Sequence, residues 1–310
     1  MKNILILVNP SSGKKNSGDV AQIAEETFMA RGWHCVTRIT KQKSDIGKYT
    51  TEACAEKIDH LIIMGGDGTV SEALNALNGL SYRPIIGILP TGTANNIAIG
   101  WGMSTDIYKA IDQLVYANQE KCDVGEVNGH LFLSSLSSGT LPETVWEVSE
   151  EMKKAYGPMA YFLEGIKSLK DEKPYHFELT LDGKKFEKES TLLLIGVSHS
   201  VFGIPRFFSE ANKNDGKLHL LSLDQTTLGD KMIILSKLIR NNEETGTMPS
   251  SVTIVSFEEA TIDLIDDTAH VALDGEKGPD FPLNINVRSG YLTVLIPEKA
   301  DKGFLFNKEA

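Results

Sequence analysis

The chain is predicted to fold as an α/β domain with a parallel sheet, followed by a second, mostly antiparallel β-rich domain. Three observations predict this. Short apolar runs alternate with helical patterns through residues 1–125, the rhythm of a parallel sheet with helices on both faces. Period-2 strand patterns take over after about Val124. Every Gly-rich loop of the first part directly follows a strand pattern, at the edge where ligands of parallel sheets bind.

Residues 4–8 form a continuous apolar run ended by Asn9-Pro10. The run is too short for a signal-peptide core or a membrane span and reads as a buried first strand. A helical pattern over 19–31 keeps Val20, Ile23, Ala24, Thr27 and Phe28 on one face, and Gly32 closes it. Strands are expected at 35–39, 61–64 and 85–89, with helices at about 45–57 and 70–77. In the second part, Asn128-Gly129 marks a hairpin between 123–127 and 130–134. One helix is expected at about 158–169, then strands at 177–181, 191–197, 218–223, 252–256, 261–265 and 271–273, with a final pair around Ser289-Gly290. Domains are therefore expected at 1–125 and 126–296, with 297–310 packing back on the first and the active site in the cleft between them.

Composition narrows the function. The 310 residues are 41% hydrophobic, enough for sizeable cores. Cys35, Cys54 and Cys122 are widely spaced with no CxxC pair, which argues against a disulfide framework or a zinc site and fits a reducing cytoplasm. Net charge is −11; residues 1–125 hold 12 Lys/Arg against 13 Asp/Glu, the remainder 19 against 29. A nucleic-acid partner would need a basic footprint, and none is written here.

The sharpest motif is Gly65-Gly66-Asp67-Gly68-Thr69, with Glu72 three residues on. Glycines let backbone N–H groups approach a phosphate chain, and the helix opened by Thr69 favours anions. Asp67 would repel phosphate directly, so its natural partner is a metal ion or a water. The alternative is a strand-to-helix turn using Gly for positive φ. Position 71 is Ser, which removes the dinucleotide fingerprint, and no GxxxxGK[ST] run occurs. Pro90-Thr91-Gly92-Thr93-Ala94-Asn95-Asn96 reads equally as a phosphate or ribose contact and as a plain helix cap by Thr93 or Asn95. Asn9-Pro10-Ser11-Ser12-Gly13, with Lys14 and Lys15 behind it, is weak alone. On one sheet edge the three loops reinforce one another.

Two further motifs lie in the second part. Asp274-Gly275-Glu276 is either a polar hairpin tip or a pair of carboxylates facing a cleft. Asn212-Lys213-Asn214-Asp215-Gly216-Lys217 is either a simple turn or an oxygen-rich loop able to ligate Mg²⁺ or Ca²⁺.

In this order the motifs resemble the diacylglycerol-kinase catalytic family, which includes sphingosine kinases and small bacterial lipid kinases. The resemblance spans nearly the whole chain, through Asp123-Val124-Gly125, Gly157-x-x-Ala160-Tyr161 and Asp215-Gly216-x-Leu218 as well. It implies ATP bound by Asn9, Pro10, Ser11, Ser12, Gly13, Thr40, Gly65, Gly66, Asp67, Gly68, Thr69, Glu72, Thr93 and Asn95. It implies a structural Mg²⁺ at Asn212, Asp215 and the Lys217 carbonyl. Catalysis would fall to Asp274 and Glu276, with Asp67, Asp123 and Asn96 in the same network. The chain departs from the family at Asn96, where Asp is usual, and in 133–140 and 198–204, both in the substrate domain.

The resemblance implies a cytoplasmic lipid kinase: ATP and Mg²⁺ phosphorylate the hydroxyl of diacylglycerol or a similar lipid at the inner face of the membrane. Peripheral membrane contact and a homodimer are compatible with it. The acidic second part opposes attraction to anionic lipid, with Lys153-Lys154 and Lys184-Lys185 as local exceptions. A soluble-substrate kinase such as NAD kinase, and a nucleotide-binding regulator with weak catalysis, are the competing readings.

Overall fold

The computed structural model describes residues 2–12, 17–139, 174–201, 204, 207–227, 229–231, 233–234, 237, 249–265 and 268–298. Gly13, Lys14, Lys15, Lys153-Lys154, the expected helix at 158–169 and the segment from 299 onward lie outside them. Two compact units emerge, one comprising residues 1–122 and 291–310 and the other 123–290. Strands β5 (Asn118–Val127) and β16 (Leu283–Ile296) carry the chain from one unit to the other.

The first unit is a parallel sheet in the order β2 (His34–Ile39), β1 (Asn3–Val8), β3 (His60–Gly65), β4 (Ile85–Pro90). The C-terminal part of β16 joins beside β4 through Val294 and Ile86, also parallel. All six residues of β3 are buried, as a strand covered on both faces requires. Helices α1 (Ser17–Met29), α2 (Ser44–Ala55) and α3 (Asp67–Ala76) follow β1, β2 and β3.

Two short-range readings are corrected here. The buried face of α1 is Ala21, Ala24 and Phe28, and Ile23 is 39% exposed. Ala21, Ala24 and Phe28 share one face of the helix, and Ile23 lies to one side of it. The final strand pair around Ser289-Gly290 is instead one long strand, β16, bent at Gly290 with φ +56°. Helix α5 (Ile107–Val115), not anticipated, is capped by Asp106, whose carboxylate accepts from the N–H of Tyr108 and Lys109.

The chain's return into the first unit is clamped. Arg83 stacks 4.1 Å over the Tyr291 ring and donates from Nε to the Tyr291 carbonyl, while the Tyr291 hydroxyl donates to the Leu77 carbonyl.

The second unit holds an antiparallel sheet in the order β12 (Val252–Phe257), β11 (Leu218–Leu223), β10 (Leu192–Gly196), β7 (Ser135–Gly139), β14 (Val271–Leu273), β15 (Glu276–Lys277). The N-terminal part of β16 pairs with β13 (Glu259–Leu264), which pairs with β8 (Tyr175–Leu181) and β9 (Lys184–Ser190). A shared core includes Phe132, Leu136, Phe177, Ile195, Phe257 and Ile285. Gly125 is fixed by that core: a Cβ there would sit 2.1 Å from the Phe132 ring on its cross-strand partner β6 (His130–Phe132).

At the amino-terminal end of β3, His60 is 4% exposed, stacks on Trp33 and has no partner for Nδ1 among the described residues. Burial pushes its imidazole down to about 4; the Lys2 charge adds to this and Asp59 opposes it. An unfolded histidine titrates near ~6.5. The unfolded state therefore takes the proton first as pH falls, and this contribution to stability is lost between about 6.5 and about 4. His60→Phe should show a shallower fall of the thermal midpoint over that window than the wild type. Equal slopes in the two chains would assign the acid sensitivity to other groups.

Candidate functional site

The loops expected to bind nucleotide meet at the carboxyl edge of the first unit's sheet, tied by named contacts. Asn9 Nδ2 donates to Thr69 Oγ1 at 2.9 Å, and Asn9 Oδ1 accepts from Ser11 N at 3.1 Å. Ser12 Oγ lies 3.2 Å from Thr91 Oγ1. Thr91 N donates to the Gly65 carbonyl at 3.0 Å. Thr40, 5% exposed, donates its N–H to the Val8 carbonyl. Thr93 is exposed, and Glu72 pairs with Lys43 at 4.0 Å.

Asp67 joins the second loop to the third. Its oxygens accept from Asn96 N and Ile97 N, each at 3.0 Å, the first amides of α4 (Asn96–Gly100). The expected cap by Thr93 or Asn95 is therefore corrected. Asn95 stands at the cap position in left-handed backbone, φ +54°, with no cap bond from its side chain. That side chain instead brackets Gly92, accepting from its N–H at 2.9 Å and donating to its carbonyl at 2.8 Å. The cap is supplied by a carboxylate 29 residues upstream. Burial pushes the Asp67 carboxyl up, against the pull of these amides.

The glycines have a reason the sequence did not display. None of Gly65, Gly66 and Gly68 has positive φ, so the turn alternative does not hold. A Cβ on Gly92 would lie 2.5 Å from Gly66 Cα, and one on Gly65 would lie 2.5 Å from Thr69 Cβ. Bare backbone at 66 and 92 lets two loops touch, leaving a floor of main-chain groups. Beside it, Asn96 Oδ1 is buried with no hydrogen-bond partner among the described residues.

In the second unit, Asp274 and Gly275 have φ of +50° and +87°, the two-residue hairpin turn that Asp-Gly favours. The Asp274 carboxylate is 7% exposed and turned away from solvent. Oδ2 accepts from Leu133 N at 2.8 Å; Oδ1 accepts from Ser134 N at 2.7 Å and Ser135 N at 3.0 Å. Glu276 is exposed on β15. The two carboxylates of the motif are thus separated in kind: one is oriented by three amides, the other is solvated.

Asp123, read as a member of the catalytic network, is fully buried and bonded on both oxygens to backbone. Oδ2 accepts from Gly216 N at 2.7 Å and Oδ1 from Gly290 N at 2.6 Å. It ties the 212–217 loop to the bend in β16. Within that loop, Asp215 accepts from Asn212 N and Lys217 N, and His219 Nε2 lies 3.1 Å from its Oδ2. Burial pushes the His219 imidazole down, against the opposing pull of Asp215. His219 and the amides of 133–135 escaped the sequence reading. Backbone donors leave no composition signal, whereas the i,i+4 spacing of Asp215 and His219 could have been noticed.

A parallel sheet with a tied loop floor at its carboxyl edge, joined to an antiparallel β unit, defines a class. Residues 3–127 match the diacylglycerol kinase catalytic domain, and residues 134–296 match the YegS C-terminal NAD kinase beta sandwich-like domain. The chain belongs to this diacylglycerol kinase-like family of lipid kinases. A diacylglycerol kinase of Bacillus subtilis (strain 168) is 29% identical over 306 residues, covering 97% of this chain and 99% of its own. One from Staphylococcus carnosus (strain TM300) is 28% identical over 302 residues, covering 96% of each. Two solved structures from Bacillus anthracis strain Sterne are also similar. One has a TM-score of 0.83 at 27% identity, covering 97% of both chains. The other, a diacylglycerol kinase, has 0.79 at 25%, covering 96% of this chain and 98% of its own.

Gly92→Ala should separate the touching loops, because its new methyl would lie 2.5 Å from Gly66 Cα. Calorimetric titration with ATP should show at least about tenfold weaker binding, roughly 1.4 kcal/mol, in a chain with unchanged circular dichroism. Wild-type affinity would show that the close approach has no bearing on nucleotide.

Proposed function

We propose that the protein transfers the γ-phosphate of ATP to the hydroxyl of a lipid alcohol of the diacylglycerol type. The loop floor at Gly66 and Gly92, tied by Asn9, Thr69 and Asp67, carries the reading. Phosphoryl transfer asks a protein chiefly to position the phosphates, neutralise their charge and accept the proton of the attacking hydroxyl. Backbone N–H groups and the N-terminus of α3 are suited to the first task. Magnesium bound with the nucleotide would supply the second, and the partnerless Asn96 Oδ1 is the acceptor that such an ion or its water would use.

For the third task we assign Asp274. Its three amide bonds fix the carboxylate's direction before substrate arrives, and an oriented group is what general-base catalysis needs. Glu276 is left as a solvated carboxylate nearby in sequence. No helix among the described residues is long and apolar enough to cross a membrane. We read the acceptor as a lipid met at the inner membrane surface by a cytoplasmic enzyme, a reading supported by the diacylglycerol kinase relatives. NAD⁺ is the second acceptor to consider, favoured by the match of residues 134–296 to a NAD kinase-like sandwich.

Radiolabelled ATP, magnesium and dispersed diacylglycerol should yield phosphatidate, with NAD⁺ and sphingosine as parallel acceptors. Asp274→Asn should lower kcat by roughly 10²–10⁴-fold and leave ATP affinity intact. Labelled NADP⁺ with no lipid product would replace the lipid reading by the second one. Wild-type turnover in Asp274→Asn would reduce the motif to a hairpin tip.

A further inference from the structure

The 212–217 loop has the oxygen donors of a hard-cation site, yet the Asp215 carboxylate is largely taken up by the loop's own donors. A carboxylate offers about four acceptor positions. Two at Oδ2 are filled, by Asn212 N at 2.8 Å and His219 Nε2 at 3.1 Å. Lys217 N takes a third, at Oδ1, 3.0 Å away. The side-chain oxygen of Asn212 is turned inward as well, accepting from Lys213 N at 2.8 Å. Calcium asks for about six to eight oxygens and magnesium for a near-ideal octahedron. With the Asn212 and Asp215 side chains spent on the loop's own donors, the Lys217 carbonyl and water would have to supply most of that.

His219 occupies the place where a cation's pull would be felt. It is 3% exposed, at the start of β11, four residues beyond Asp215. A carboxylate only accepts, so Nε2 carries the ring proton. Nδ1 faces Ser256 Oγ at 2.9 Å on β12, directly across the strand pair. The Phe208 ring, centroid 5.7 Å away, packs beside the imidazole. Both ring nitrogens and a ring neighbour hold it in one orientation. Asp123 grips the loop from its other side, accepting from Gly216 N and donating its own N–H to the Lys213 carbonyl, both at 2.7 Å.

We propose that His219 is a positioning residue that does for this loop what a bound cation would do, so that the loop keeps its shape without Mg²⁺ or Ca²⁺. Removing the imidazole leaves Asp215 Oδ2 a donor short and opens room beside it. The loop should then acquire a cation dependence it does not otherwise have.

The test uses the full chain without nucleotide and MgCl₂ or CaCl₂ alone as the probe. The wild-type thermal midpoint should move by less than about 1 °C between chelator and millimolar salt, since a ligand that does not bind the native state adds no stability. Titration calorimetry should show no one-site binding. His219→Ala should melt lower in chelator and regain about 2–4 °C for each kcal/mol of cation binding. His219→Gln, whose amide can still donate to Asp215, should remain indifferent to the salts. One-site binding by the wild type that Asp215→Asn abolishes would overturn the proposal. So would a His219→Ala midpoint that falls equally with and without cation. Should His219→Ala fail to fold, the wild-type titration decides alone: absence of binding supports the proposal and one-site binding overturns it.

Discussion

The first unit's site depends on one bond set: the Asp67 carboxylate held by the leading amides of α4. A five-residue helix has too few internal bonds to stand alone. Its first N–H groups need an acceptor, and the carboxylate supplies one from a loop that would otherwise drift independently. Beside it, Gly92 lies against Gly66 and Asn95 adopts left-handed backbone. Burial raises the cost of the charge, and the amides offset part of that cost.

The second unit repeats one local device three times. Asn128, Asp182 and Asp274 each begin a two-residue turn with φ near +50°, followed by Gly129, Gly183 and Gly275. Each also reaches across to neighbouring backbone. Asn128 accepts from Asn284 N, Asp182 from Glu258 N and Glu259 N, and Asp274 from the three amides of 133–135. Short polar side chains tolerate the left-handed region and can bond locally. Asp274 is set apart by its burial and its third amide, so its direction is fixed where Asp182 only pins a hairpin tip.

Much of this was legible in the chain. Apolar runs such as 61–64 announced buried parallel strands because both their faces are covered, and Asn128-Gly129 announced its turn because few other pairs adopt it. The loops at 9–12, 65–69 and 90–96 fell together at one edge because strand polarity sets their side of the sheet. What stayed hidden was long-range. Nothing in Gly-Gly-Asp-Gly-Thr says that Asp67 caps a helix 29 residues on, or that Gly66 is bare to admit Gly92. Nor does the Asp123-Val124-Gly125 motif reveal that two backbone partners of the Asp123 carboxylate lie 93 and 167 residues away. The inner face of α1 was misjudged because hydrophobicity favoured Ile23, while the helix turns Ala21, Ala24 and Phe28 inward.

The central claim is that Asp67 holds the loops in register for nucleotide. Hydrogen exchange of the Asn96 and Ile97 amides, followed alongside calorimetric titration of a non-hydrolysable ATP analogue into Asp67→Ala, tests it most directly. Both amides should lose protection, and affinity for the analogue should fall with them. Freed amides together with wild-type affinity for the analogue would contradict it.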